Sequence, residues 1–437
     1  MEQDDHISND ANAISSPSLK YVPFKVSDIK KSLLSNKDGL LVLISGFICN
    51  FMVFGIGFTY GVFQEYYTSS NGPLSLYSDS KVAIIGTLST GLTYIFGIFN
   101  KSLMKYSSPK TVMFVGSIIM SLGLILAGFC NHIYQFILTQ GVMFGIGSSL
   151  VYLPPVVCAP PFFTQHRAIA MGFLFSGTGF GSLAISSLSR FLIAAIGWRW
   201  CLRVLGLINL IFTIFASFIV VVPEGMNFKE GNKVISLGQL KSWKAIFICL
   251  GGLFQSAGYL IPLIYMSKMA KTLNFTNSQG ALFIGVNNGV NAIFKIILGY
   301  AGDKLGRMNT IIACSVVSAV TILGLLGTVS RDSYISFVVF YGVFSGVIVS
   351  LLPTCLVELF GIANYQAMSG LMYFSRGIGN MLGSPLAGLM ISNDGLSFTD
   401  YKFPILYNGL LLVASASCLA VLRVVVSAER QVTGWKF

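Results

Sequence analysis

Residues 299–310 read GYAGDKLGRMNT. Asp303, Lys304 and Arg307 stand there among Gly299, Gly302 and Gly306, between two apolar runs each long enough to cross a bilayer. Charges and turn-forming glycines in that place mark a short polar loop at a membrane face. The runs on either side must then be helical, because in hydrocarbon each backbone N–H and C=O has to be satisfied inside its own segment. This stretch decides the fold class, an all-α membrane protein.

The rest of the chain has the same character. Of its 437 residues 54% are hydrophobic and 10% charged, whereas soluble domains carry about 25% charged residues. Twelve apolar runs follow one another, at 39–61, 81–99, 111–129, 134–156, 168–194, 201–222, 244–266, 279–300, 309–329, 334–359, 366–391 and 403–426. The formal charge of +12 matters less than its placement. With the amino terminus inside, eighteen Lys and Arg fall on inner segments, eight on outer segments and two within spans. That bias puts both termini in the cytoplasm. No basic stripe is interleaved with exposed aromatics, so nucleic acid is not an expected partner.

Other chemistry is sparsely provided for. The eight cysteines are scattered through apolar runs without metal-ligand spacing, and His6, His132 and His166 do not converge with acids. No metal, no cofactor and no enzymatic activity are expected. Residues 1–37 are polar and lack a signal-peptide pattern, which predicts a disordered cytoplasmic tail.

The polar stretch at 223–243 divides the runs six and six. The expected organisation is a tail at 1–37, an N-terminal six-helix bundle at 38–222, a cytoplasmic linker at 223–243, a C-terminal six-helix bundle at 244–427 and a tail at 428–437. A shift of 198 residues lays Gly172, Gly179 and Gly181 of the fifth run onto Gly370, Gly377 and Gly379 of the eleventh. It also lays 101–110 onto 299–308, so two pseudo-symmetric halves share one plan. Glycines at helical spacing let membrane helices approach closely, and such contacts can rock without unlocking large side chains.

Only two cations lie inside spans, and a cation at the centre of a membrane helix costs about 2.5–3.5 kcal/mol. Lys295 is in the eighth run, where Asn288, Asn291 and Lys295 fall within a stripe about 60° wide. Such a face turns to water or to another helix, although Lys295 is also near enough to the cytoplasmic end to snorkel. Arg376 lies roughly 15 Å into the eleventh run, near the midplane, and shares its face with Ser369, Tyr373 and Asn380. No Asp or Glu lies deep in any run, so an anionic ligand is the natural counter-ion of Arg376. The expected substrate contacts are Arg376, Lys295, Asn291, Asn288, Tyr373 and Asn380.

The loop at 299–310 resembles the major facilitator loop pattern through Gly299, Gly302, Asp303, Lys304, Gly306 and Arg307, and it lies in the matching place between the eighth and ninth spans. Those six residues are the expected conformational element, with Asp303 read as lying near the start of the ninth helix. Its first-half counterpart, KSLMKYSSPK, lacks the acid and the glycines. Within that superfamily the chain resembles the monocarboxylate porter family and its fungal branch, through QGVMFGIGSSLVYLPP, FFTQHRAIAMGFLFSGTGFGSL, GWRW and RGIGNMLGSPLAG. Asp38 and Gly39 of the first-span signature remain, with Leu40 and Leu41 after them. The resemblance aligns Lys295 with a cation of the eighth span. Asn291 stands where some of those porters carry an Asp, and no Lys or Arg lies between Asp38 and Lys81.

The resemblance implies the major facilitator fold and alternating access about a midplane site. The expected function is secondary active or facilitative transport of a small organic anion or amphipathic metabolite by a monomer in the lipid bilayer. A vitamin such as riboflavin, or a secreted or iron-chelating metabolite, is the alternative cargo, and a receptor that keeps the fold is the non-transporting one. Proton symport would need a carrier other than Asn291, such as the substrate itself. Asn274, in the triplet NFT on an expected outer turn, is the glycosylation candidate. The plasma membrane is the expected location, the vacuolar membrane the second.

Overall fold

The computed structural model describes residues 36–224, 226, 242–327, 330–391, 395 and 397–430. The amino-terminal tail, the bulk of the linker and most of the carboxy-terminal tail lie outside the described residues. Described secondary structure is helical throughout. Span one is α1 (Lys37–Tyr67), capped by Asn36, whose side chain accepts from the Gly39 N–H. Span two is a bent pair, α2 (Asp79–Ile95) and α3 (Gly97–Tyr106), with 49° between them. Lys101 and Lys105, read from sequence as loop cations, are therefore on α3.

Span three is α4 (Pro109–Ala127). Span four is built from α5 (Ile133–Phe136), a π-helical segment (Ile137–Met143) and α6 (Phe144–Cys158). Spans five and six run together as α7 (Arg167–Ile219), broken at Gly197. In the second half, α8 (Trp243–Thr272) is span seven, α9 (Asn277–Leu305) span eight and α10 (Arg307–Gly327) span nine. Span ten begins as α11 (Arg331–Ser345), breaks at Gly346 and continues into α12 (Val347–Leu389). Gly361 divides α12, and its remainder is span eleven. Span twelve is α13 (Lys402–Arg430).

The repeat is visible in the backbone. Gly197 and Gly395, again 198 residues apart, both hold positive φ, +80° and +70°, at the turns closing spans five and eleven. Each glycine trio works the same way. Gly172 and Gly179 press on the backbone carbonyls of Lys295 and Asn288 in the other half, and Gly377 on Gly91 and Ile95 of span two. Gly181 and Gly379 face inward instead, against the carbonyls of Phe51 in span one and Leu253 in span seven. A single spacing thus seats a helix on its own bundle and on the opposite one.

Candidate functional site

Two groups of residues join the halves, one at the end predicted to face the cytoplasm and one near mid-membrane. In the first, Asp303 sits in the last turn of α9, not at the start of the ninth helix as the sequence suggests. A carboxylate at a helix C-terminus is disfavoured by the dipole. Here it is offset by the N-terminus of another helix: Ala168 and Ile169 of α7 donate their backbone N–H groups to its two oxygens at 3.1 and 3.0 Å. Arg307 donates to the same carboxylate through Nε at 3.0 Å and Nη2 at 2.8 Å, and pairs through Nη1 with Glu358. It also reaches the Thr164 carbonyl at 3.5 Å. The Gly306 between them has φ +100°, a backbone that a side chain would strain. Gly299 lies against the Ala168 carbonyl, and Gly302 against Leu351. Lys304 is 6.0 Å from the Tyr300 ring. The loop therefore grips the first half through Asp303 and Arg307.

At mid-membrane Arg376 is 2% exposed. Its stem lies along span seven, where a Cβ on Gly252 would come 3.3 Å from Arg376 Cγ. Its guanidinium carbon is 5.5 Å from the ring centroid of Tyr94, which belongs to the other half. Tyr373, one turn earlier, stacks on Tyr94 with centroids 6.0 Å apart and planes 4° apart, and meets Tyr152 edge-on at 5.6 Å. Phe54 closes on Tyr152 at 5.0 Å. Spans two and seven thus meet the side chain of Arg376, and rings of spans one and four back the Tyr373 ring beside it. The described ion pairs do not include Arg376, and its Nε and the Oδ1 of Asn380 are buried without a hydrogen-bond partner among the described residues. Ser369, read from sequence on this face, donates to the Gln366 carbonyl of its own helix.

The polar stripe of span eight faces helices rather than water, and it divides between two of them. Asn288 donates to Ser182 Oγ at 2.9 Å, and Lys295 Nζ to Thr178 Oγ1 at 2.6 Å, both on span five of the opposite half. Asn291 donates to the Gly342 carbonyl at 3.1 Å beside the break at Gly346, and Asn287 to Val338 at 2.8 Å, both within the second half. Lys295 is 1% exposed, so it does not snorkel. Its charge and that of Arg376 are close enough to interact. Asn274 is exposed in the turn between α8 and α9, with φ 60°. The hydroxyl of Thr276 caps α9 by accepting from Gln279 N.

Sequence reading missed Tyr94, Tyr152, Gly252 and Thr178. Nothing local marks Gly252 or Thr178. Nothing local marks the two tyrosines either, since Tyr94 and Tyr152 fall within five residues of the ends of the runs at 81–99 and 134–156, where hydroxyl-bearing rings normally collect.

A described all-helical assembly of membrane-length segments, two similar bundles and a buried polar centre between them define a polytopic membrane transporter. A family model described as Major Facilitator Superfamily matches residues 42–267 and 246–434, and the chain belongs to that superfamily. It is similar to an MFS-type transporter of Gibberella moniliformis, 28% identical over 86% of this chain and 89% of that one. It is also similar to the aspyridones efflux protein apdF of Emericella nidulans, 25% identical over 79% of this chain and 70% of that one. Among solved structures, FucP in its outward conformation superposes with a TM-score of 0.65 at 14% identity over 87% of this chain and 98% of that one. The human organic anion transporter MFSD10 (TETRAN) superposes with a TM-score of 0.63 at 12% identity, over 86% and 99% of the two chains. These two likenesses concern the fold.

Proposed function

We propose that this transporter carries a small amphipathic organic anion, bound at Arg376 and moved by alternating access of the two bundles. The observation that carries the reading is a guanidinium 2% exposed at mid-membrane, with an unpartnered Nε and no acid among its described partners. An arginine held in a membrane without a protein counter-ion is stabilised by an anionic guest, and its planar fork suits a carboxylate or enolate. The rings of Tyr94, Tyr152 and Tyr373 favour a guest with a flat conjugated portion. Export is the direction we infer, because a relative is named an aspyridones efflux protein. The plasma membrane is the location that suits export, and Asn380 and Tyr373 complete the site beside Arg376.

The test compares metabolites inside cells and in their medium for cells lacking the protein, expressing it, or expressing Arg376→Ala at equal membrane level. Acidic metabolites should accumulate inside the first and third alike. If the compounds that shift are neutral or cationic, or if Arg376→Ala restores their distribution, the reading is wrong.

A further inference from the structure

The seam between spans five and eight joins the halves through polar rungs at three depths. Asn288 meets Ser182 in one, Lys295 meets Thr178 in the next, and Asp303 takes the N–H groups of Ala168 and Ile169 in the last. The matching seam between spans two and eleven is instead built around glycines and rings, with Gly91 against Gly377 and Tyr94 against Tyr373. The middle rung is electrostatically unlike the other two. Its donor is a lysine amine 1% exposed, and its described acceptors are both neutral: the Thr178 hydroxyl at 2.6 Å and the Phe175 carbonyl at 3.4 Å.

Thr178 donates its own proton to the Phe175 carbonyl at 2.8 Å, which turns a lone pair of the hydroxyl towards the ammonium. An ammonium has three N–H groups and gains more from an ionised acceptor than from a hydroxyl or amide. The candidate anion site lies within reach of its influence. The charges of Lys295 and Arg376 interact, and Phe175, whose carbonyl Lys295 holds, packs on Tyr152 at 6.3 Å, the ring that in turn meets Tyr373.

We propose that Lys295 is a tie released by substrate: with the site empty it clamps span five through Thr178 and Phe175, and an anion on Arg376 draws the ammonium away and loosens the seam. The inference rests on the anion reading of Arg376. It gives that reading a coupling step, because a ligand shifts a conformational equilibrium only through contacts that differ between the two states. The flexible four-carbon stem of lysine allows the exchange of partners, which a rigid guanidinium fork in the same place would resist.

The experiment uses the full chain purified into lipid nanodiscs, with salicylate as the anionic probe and salicylamide as its neutral counterpart. Thr178→Val removes the competing acceptor while keeping the shape, so salicylate should bind about tenfold tighter than to the wild type, the scale of one hydrogen bond to a charged group. Thr178→Ser should behave as wild type. Lys295→Met should bind salicylate about tenfold more weakly, and adding Thr178→Val to it should change nothing further. Amide hydrogen exchange over residues 173–182 should rise when salicylate is added to the wild type, and should already be raised in Thr178→Val without it. Loss of salicylate binding in Arg376→Ala, with unchanged or weaker binding in Thr178→Val or no exchange response, overturns the tie and leaves the anion reading standing. No wild-type binding, equal binding of salicylamide, or wild-type affinity in Arg376→Ala overturns the anion reading itself.

Discussion

Arg376 shows how one residue type carries two different meanings. Near a helix end it would be a snorkelling cation. Fifteen positions past Gly361, where span eleven begins, with Tyr94 at 5.5 Å and Gly252 leaving space for its stem, it is a fixed charge between two bundles. The Tyr94 ring lies beneath the guanidinium, and its hydroxyl also interacts with Arg376. Tyr94→Leu removes a cation–π contact of about 0.5–2 kcal/mol, and the KM for the transported substrate should rise by roughly 2- to 30-fold, read in vesicle flux assays. The spacing of Arg376 and Tyr373 on one face was legible in the sequence. Tyr94 was not, because it lies on a different helix and nothing in a single chain says which rings meet.

At the scale of the element, glycine positions decide where helices end and how near they come. Gly306 ends α9 at φ +100°, and Gly306→Ala should cost about 1–2 kcal/mol through backbone strain, seen as a lower melting temperature in detergent. Gly379 lies against the Leu253 carbonyl. Gly379→Leu should overpack that contact by about 1–3 kcal/mol or more and reduce the monodisperse fraction in size-exclusion chromatography. The equal spacing of the two glycine trios could be read directly, but their division into contacts across the halves and contacts within a half could not. That division depends on helix rotation, which spacing alone leaves open. The stripe of Asn288, Asn291 and Lys295 likewise divides between spans five and ten, so adjoining positions of one face serve different neighbours.

For the whole molecule the consequence is a chain held shut at one end by a loop of the second half on a helix of the first. Asp303→Ala would leave the Ala168 and Ile169 N–H groups and Arg307 without their shared acceptor. It should favour the state opened at that end. A cysteine introduced at Ala168, buried in this structure, should then react faster with a thiol reagent added from the side of that loop, and flux should fall. Unchanged reactivity would show that the tie is not what holds this end together. The first half has no equivalent acid in KSLMKYSSPK, so the corresponding substitution of Lys105 by alanine should have a much smaller effect.

The sequence by itself determined that the chain is a set of apolar helices in two related sixes, with a charged loop at one face and two cations too costly to be idle. Those conclusions follow from hydropathy, glycine spacing and charge placement, which each segment carries alone. Only the tertiary structure decided that Asp303 caps span five, that Lys295 is spent on Thr178, and that Arg376 stands among tyrosines with no described acid to neutralise it. These are pairings between residues more than a hundred positions apart, and their energies depend on distance and burial once the helices have packed.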